Sequence, residues 1–444
     1  MNKTIYSLVT KPINQNVGII RISGPNAFES IKRILPNFIP KPNKVEYQKL
    51  VNKDGYIDDA LVLSFIKPNS FTGEDVIEIQ SHGSMFVIEK IISELNQTGI
   101  EQSEPGEFMK QAYMNGKLDL SQTEAINTLI LSENRKLTEK SLDNLNGKQS
   151  AYIEEALTKI GEIVSRIQVS IDYPENTDLP KYNLNVICES IKELKDDLVK
   201  IINDSQRLVN YSKGIKIALV GIPNAGKSTL LNNLVNDDRA IVSNIEGTTR
   251  DVIESITYID GLKVTLQDTA GIRNGTIDLI EKEGIRRSKK TINDANIVIL
   301  LLDGTKELNF QRELFKEVYE KYNFKLIEVL TKSDIIKHKK TLNISNKKET
   351  LIPLLNKIKE FVKFNIYDDD KDNNSLLISQ SQIDNFNFIK HSLSNAINFI
   401  QYGETADVVL FELENSMKLL GKIIGKEIDQ NYLTNLFANF CIGK

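Results

Sequence analysis

Apolar positions are spaced in three different ways along the chain, and each spacing predicts a different kind of domain. Over residues 1–118 short apolar runs alternate with turns. Val17-Gly18-Ile19-Ile20-Arg21-Ile22, Ala60 to Ile66 and Val76-Ile77-Glu78-Ile79-Gln80 each read as a strand, and a helical pattern follows from Val87 to Leu95. This predicts a small α+β domain. From about Asp119 to Leu208 apolar residues recur every three or four positions, with only Pro174 and Pro180 as breaks. That is the pattern of amphipathic helices, with a loop at Asp172-Tyr173-Pro174-Glu175 between two long ones.

At Gly214 the pattern changes to buried strands alternating with helices, which predicts a parallel sheet. Ile215 to Gly221 reads as a strand, Ile256 to Gln267 as a hairpin around Asp260-Gly261, and Asn296 to Leu302 and Leu326 to Leu330 as further strands. The stretch Asp368-Asp369-Asp370-Lys371-Asp372-Asn373-Asn374 has the composition of a linker, and helical periodicity then returns through Leu436. Helices on both sides of an α/β section predict an insertion into one helical domain; a tail folding separately is the alternative. The expected division is 1–118 (α+β), 119–213 with 371–444 (a discontinuous all-α domain), and 214–370 (an inserted doubly wound α/β domain).

Composition changes this picture little. At 444 residues the chain has room for two or three domains, and 40% hydrophobic with 26% charged residues is ordinary for a globular protein. The mid-chain apolar run Ile297–Leu302 is far too short to span a bilayer, and Met1-Asn2-Lys3-Thr4-Ile5-Tyr6 lacks the apolar core of a secretory signal. The two cysteines, Cys188 and Cys441, form neither a disulfide framework nor a zinc-ligand spacing. A cytoplasmic protein with no membrane partner is expected. The net charge of −4 will not draw nucleic acid in bulk, so RNA would have to meet a local patch. Arg286-Arg287-Ser288-Lys289-Lys290 and Lys337 to Lys340 are the candidates, and both also read as solvated surface.

The chemistry is concentrated after the first strand of the parallel section. Gly221-Ile222-Pro223-Asn224-Ala225-Gly226-Lys227-Ser228 is a phosphate loop between a strand and a helix, Thr229 to Val235. Glycines let backbone N–H groups approach the phosphates, and the helix N-terminus adds positive dipole. Lys227 reaches the β and γ phosphates, and the Ser228 hydroxyl ligates Mg²⁺. Gly247-Thr248-Thr249-Arg250-Asp251 follows in a polar loop, where a threonine can close over the metal. Asp268-Thr269-Ala270-Gly271 ends a strand, so Asp268 can hold Mg²⁺ through water and the Gly271 amide can sense the γ-phosphate. In Thr331-Lys332-Ser333-Asp334 the Asp334 carboxylate can accept the guanine N1–H and N2 amine together. Adenine cannot offer that pairing, and it discriminates by about 2–4 kcal/mol. Thr331 stands where asparagine is usual, and Ser345-Asn346-Lys347 is the candidate last base-contacting loop.

Ile272 occupies the position at which Ras-like enzymes place a water-orienting glutamine. Hydrolysis is then either very slow or assisted by other groups. Asn224 can help bind a monovalent cation beside the phosphates. Glu281, in Ile280-Glu281-Lys282-Glu283-Gly284, reads either as the water-positioning group or as a solvated acid at a helix start.

The whole chain resembles the tRNA-modification GTPases of the MnmE (TrmE) family, within the TrmE-Era-EngA-like superfamily. The segments that carry the resemblance include Gly18-Ile19-Ile20-Arg21-Ile22-Ser23-Gly24-Pro25, Phe71-Thr72-Gly73-Glu74-Asp75, His82-Gly83, Pro105-Gly106-Glu107-Phe108 and Asn115-Gly116-Lys117-Leu118-Asp119-Leu120. The phosphate loop and the terminal Phe440-Cys441-Ile442-Gly443-Lys444 complete it. The resemblance implies a homodimer joined through the N-terminal domain, which binds a 5-formyltetrahydrofolate-type folate. It implies K⁺-assisted, Mg²⁺-dependent GTP hydrolysis. With an FAD-dependent partner of the MnmG type, members modify carbon 5 of the wobble uridine of certain tRNAs, adding an aminomethyl or carboxymethylaminomethyl group.

Carried over by position, folate contacts would be Arg21, Glu78, Lys117 and Lys444. K⁺ would be held by Asn224, Ser243, Ile245 and Thr248, and Mg²⁺ by Ser228 and Thr249. The nucleotide would meet Asn224, Ala225, Gly226, Lys227, Ser228 and Thr229, then Ser243, Asn244, Ile245, Glu246, Gly247, Thr248 and Thr249. Asp268, Thr269, Ala270, Gly271, Thr331, Lys332 and Asp334 would complete that set. Glu281, Lys227 and Gly271 would be catalytic. From the residues alone, Arg21 and Glu78 also read as a structural ion pair, and Cys441 as either a reactive or an inert buried thiol. A regulatory GTPase switch and a decayed GTPase kept as a scaffold are the competing functional readings.

Overall fold

The computed structural model describes residues 3–42, 44–172, 184–212, 214–235, 253–259, 262–268, 291–335, 342–345, 347–365, 376–426, 433, 436–438, 440 and 443. The chain divides into two compact units: Met1–Ile130 with Leu142–Lys195 and Asn385–Lys444, and Leu131–Ser141 with Asp196–Asp384.

In the first unit six strands form one sheet. They are β1 (Ile5–Leu8), β2 (Gln15–Ser23), β3 (Lys44–Asn52), β4 (Gly55–Phe65), β5 (Val76–Gly83) and β6 (Glu101–Gln102), in the order β3-β4-β5-β2-β1-β6. All neighbours are antiparallel except β1 and β6. Alternation along β2 sends Ile20 and Ile22 into a core with Val62, Ile77 and Ile79, closed by Ile88, Ile91 and Leu95 of helix α2 (Met85–Asn96). A short helix, α1 (Ala27–Ser30), seals the same core through Ala27. Arg21 therefore faces the other side of the sheet. β3 was not expected, and its composition explains why: only Leu50 is buried, so the edge strand is held by its ladder to β4 rather than by an apolar face. For the same reason β4 starts at Gly55, ahead of the apolar run that begins at Ala60.

The helical part has the predicted texture: α3 (Glu107–Met114), α4 (Leu120–Leu131), α5 (Arg135–Leu145), α6 (Lys148–Asp172) and α7 (Leu184–Ser212). On α6 the residues Ile153, Ala156, Ile160, Ile163 and Ile167 form one buried stripe. Near the C-terminus lies a helix whose buried face includes Val409, Leu413 and Leu420; it spans Ala406–Ile423 and packs on α6. Residues 173–183 and the acidic run at 368–374 lie outside the described residues.

The second unit is built on a sheet of β7 (Ile215–Gly221), β8 (Ile253–Ile259), β9 (Leu262–Asp268), β10 (Ile297–Asp303), β11 (Leu326–Thr331) and β12 (Leu342–Asn343), ordered β12-β11-β10-β7-β9-β8. Only the β8–β9 hairpin is antiparallel, and its Asp260-Gly261 turn lies outside the described residues. β10 is buried along its whole length, as a central parallel strand must be. Its two faces feed separate cores: Ile297, Ile299 and Leu301 on one side, Val298, Leu300 and Leu302 on the other. The remaining helices are α8 (Lys227–Val235), α9 (Leu308–Leu314), α10 (Lys316–Tyr322), α11 (Ile352–Asn365), α12 (Gln380–Tyr402) and α13, the Ala406–Ile423 helix described above. The end of α7 belongs with this unit, where the Ser205 hydroxyl accepts the Leu376 and Leu377 amides. So does the segment before α5, through a Glu133–Lys263 ion pair.

Lys325 is buried just before β11, and its ammonium donates to the carbonyls of Ile292, Asn293 and Ala295 at 2.8, 3.2 and 2.7 Å. Burial pulls its pKa below the ordinary lysine value. Lys325→Met keeps the stem and removes the donor for three carbonyls, so urea unfolding should show a loss of about 2 kcal/mol. An unchanged midpoint would refute this account of the lysine.

Candidate active site

The phosphate loop is set by backbone geometry before any side chain acts. β7 ends at Gly221, where an added Cβ would stand 2.5 Å from the Leu301 carbonyl oxygen of β10, so the turn needs glycine. Asn224 (φ 64°) and Gly226 (φ 88°) are left-handed, which bends the loop back toward α8. The Ala225 N–H bonds to Ile222 O and the Leu230 N–H to Gly226 O, joining the loop to the first turn of that helix. Lys227 is 6% exposed and reaches back across the loop, donating to Gly221 O at 2.7 Å and Ile222 O at 2.9 Å. Asn224, Ser228 and Thr229 are exposed around it, and Ala225 is buried. A loop with an ammonium, an exposed serine and a helix N-terminus suits a phosphate chain with a divalent cation.

The Thr331–Asp334 loop arrives beside it. Thr331 ends β11, and its hydroxyl donates to Leu302 O at 3.1 Å. A Cβ on Gly226 would lie 3.6 Å from the Thr331 Cγ2, so Thr331 packs against the phosphate loop. Lys332 is left-handed (φ 59°) and binds Asp303 at 2.6 Å. The Ser333 amide donates to Ile344 O, which brings Thr331–Asp334 next to the segment carrying Ser345 and Lys347. Asp334 is exposed. Asp303 was missed by sequence reasoning, although a lone carboxylate ending a six-residue apolar run is a signal that was available.

Asp268 closes β9 opposite Leu219 of β7, which puts its backbone beside the strand that leads into the phosphate loop. The Asp268 side chain lies outside the described residues. So do Ser243, Asn244, Ile245, Glu246, Gly247, Thr248, Thr249, Thr269, Ala270, Gly271, Glu281, Asn346, Cys441 and Lys444, with both basic patches, Arg286–Lys290 and Lys337–Lys340.

In the first unit the structure brings Arg21 and Glu78 together on paired strands, with Arg21 Nε donating to Glu78 Oε1 at 2.7 Å. Arg21 Nη1 donates to Gly443 O at 3.2 Å, so Gly443 returns to this face. The guanidinium also lies 5.9 Å from the ring centres of Phe71 and Phe108. Lys117 joins through the loop that carries Phe71: it donates to Pro68 O at 3.1 Å and its Cγ lies 3.2 Å from a Cβ built on Gly73. His82 is held by Asp58 through its amide and its Nδ1, each at 2.8 Å.

Both groups of residues lie in segments that are similar to known proteins. The family described as the GTP-binding protein TrmE N-terminus matches residues 4–117, and the MnmE helical domain matches residues 120–441. The tRNA modification GTPase MnmE of Mycoplasmopsis pulmonis (strain UAB CTIP) is 36% identical over 433 residues, covering 97% of each chain. The protein of the same name from Mycoplasmoides gallisepticum (strain R(low / passage 15 / clone 2)) is 38% identical over 453 residues, covering 100% of this chain and 98% of that one.

The chain belongs to the MnmE family.

Among solved structures, the G domain of the T. maritima FeoB iron transporter is 25% identical with a TM-score of 0.27, covering 33% of this MnmE-family chain and 98% of that one. Aquifex aeolicus Era bound to GDP·AlF4⁻ is 27% identical with a TM-score of 0.23, covering 33% and 46%. Among the described residues of the MnmE-family chain, no helix is long and apolar enough to cross a membrane.

Proposed function

We propose that this protein is a K⁺-stimulated, Mg²⁺-dependent GTP hydrolase that acts in the cytoplasm on the wobble uridine of certain tRNAs. It would work with an FAD-dependent partner of the MnmG type and a formyltetrahydrofolate-derived carbon. The observation that carries this reading is the meeting of the Lys227 phosphate loop with the Thr331–Asp334 loop at the ends of β7 and β11, the two strands that flank β10, in a chain of this family. The domains would be 1–118, 119–213 with 371–444, and an inserted 214–370.

The residues present fit the groups they would hold. Ser228 is an exposed residue on the first turn of α8 whose hydroxyl suits Mg²⁺, which supplies charge neutralisation at the phosphates when bound. Asn224 presents an open carboxamide suited to K⁺, with Ser243, Ile245 and Thr248 proposed beside it. Lys227 would exchange the carbonyls of Gly221 and Ile222 for phosphate oxygens, the stronger charge-assisted partners. Glu281 would orient water in place of the glutamine that Ile272 displaces, while the Gly271 amide senses the γ-phosphate.

In the first unit Arg21 suits the folate carboxylates and Glu78 the pterin donor edge, with Lys117 and Lys444 completing the site. A homodimer is supported by the sheet face that carries Arg21. Val17, Val45, Tyr47 and Leu61 lie on that face and are 48%, 59%, 65% and 42% exposed.

The test is GTP hydrolysis at fixed Mg²⁺ in matched KCl and NaCl, on the wild type and Glu281→Ala. Turnover should be strongly K⁺-dependent and should fall about a hundredfold in Glu281→Ala with nucleotide binding retained. Equal slow rates in both salts would favour a regulatory switch instead.

A further inference from the structure

A fully buried carboxylate, Asp303, sits beneath the Thr331–Asp334 loop, and the chemistry proposed above makes no use of it. Its Oδ1 accepts the Thr305 amide at 3.0 Å and the Thr305 hydroxyl at 2.6 Å, while Oδ2 accepts the Lys332 ammonium at 2.6 Å. Its backbone is clamped as well: the Asp303 N–H donates to Gln311 Oε1 at 2.9 Å, and Gln311 Nε2 donates back to Asp303 O at 3.0 Å. Gln311, itself buried, thus takes the place of a further strand at the end of β10. Burial by itself would raise the Asp303 pKa, but the bonds from Lys332 and Thr305 outweigh it and hold the carboxyl below the usual range. The group is a fixed anion with one oxygen reserved for Lys332.

Lys332 is left-handed (φ 59°), a conformation that a lysine seldom adopts without a tertiary restraint. It lies two residues before Asp334. The neighbour that would otherwise steady the loop is reduced here, because Thr331 replaces the usual asparagine. Its hydroxyl has a single hydrogen to donate, and that is spent on Leu302 O. The loop must be aimed from another direction.

We propose that Asp303 is a positioning residue for guanine recognition: by pinning the Lys332 ammonium to the end of β10, it fixes the backbone turn that aims the Asp334 carboxylate at the base. This rests on the reading that Asp334 contacts guanine.

Calorimetric titration of the full chain with GDP and IDP tests it, since IDP lacks the 2-amino group that Asp334 would read. Asp303→Asn should weaken GDP binding about tenfold while affecting IDP much less, so the preference for GDP collapses. Thr305→Val, an exposed change that leaves the buried charge in place, should move the preference the same way by a smaller factor. Asp303→Asn added to Lys332→Met should cost little beyond Lys332→Met alone, because both break one link. An intact GDP preference in Asp303→Asn, with only a lower melting temperature, would overturn the proposal. Additive losses in the double variant would overturn it too. Should Asp303→Asn not fold, an unchanged preference in Thr305→Val would do the same. Asp334→Asn separates the two levels: if it still prefers GDP, the guanine reading itself falls. If it loses that preference while Asp303→Asn keeps it, only the positioning role falls.

Discussion

Lys227→Ala is expected to lose GTP affinity by at least about a hundredfold, the effect of deleting a desolvated cation that faces phosphate charge. The structure shows why the loss should fall on binding rather than folding. Gly221 O and Ile222 O, which accept from Lys227, belong to half-buried residues at the rim of the loop, where water can replace the ammonium. The glycine and left-handed positions that shape the loop do not depend on the lysine. Titration with a fluorescent GTP analogue, alongside a thermal melt, measures both quantities. Wild-type affinity in the variant would remove the phosphate-loop assignment.

The second large effect is expected at the other site. Arg21→Ala should reduce affinity for 5-formyltetrahydrofolate by about a hundredfold, because truncation strands Glu78, whose side chain is only 16% exposed, and removes the candidate carboxylate partner. It also deletes the donor to Gly443 O and the cation between Phe71 and Phe108. Arg21→Lys is the informative companion. It keeps the charge but cannot serve Glu78, Gly443 and a ligand together from one planar fork, so it should recover only part of the affinity. Absorbance titration with the folate reads both variants. Undiminished binding in Arg21→Ala would reduce the Arg21–Glu78 pair to a structural ion pair.

What was legible in the sequence was local. Gly221 to Ser228 is contiguous, and its glycines report a backbone shape that a short window already determines. The alternation in β2 and β5 and the stripe on α6 report burial, so those elements could be read directly. β3 could not, since Lys44–Asn52 buries almost nothing and exists because β4 offers it a ladder. The contacts that assemble the sites are long-range: Arg21 to Gly443, Lys332 to Asp303, Ser205 to Leu376 and Leu377. No periodicity encodes them. Only the family resemblance anticipated that Arg21 and the chain's last segment belong together, and nothing anticipated Asp303.

β7 and β11, whose ends carry the phosphate loop and the Thr331–Asp334 loop, both hydrogen-bond to β10 and are separated by that strand alone. Their separation is therefore two ladder spacings, about 9.6 Å, a length set by peptide geometry rather than by any side chain. The sheet would act as a ruler under a nucleotide bound as proposed. Substitutions in either loop would then change the head group that is held and leave the span between the loops as it is.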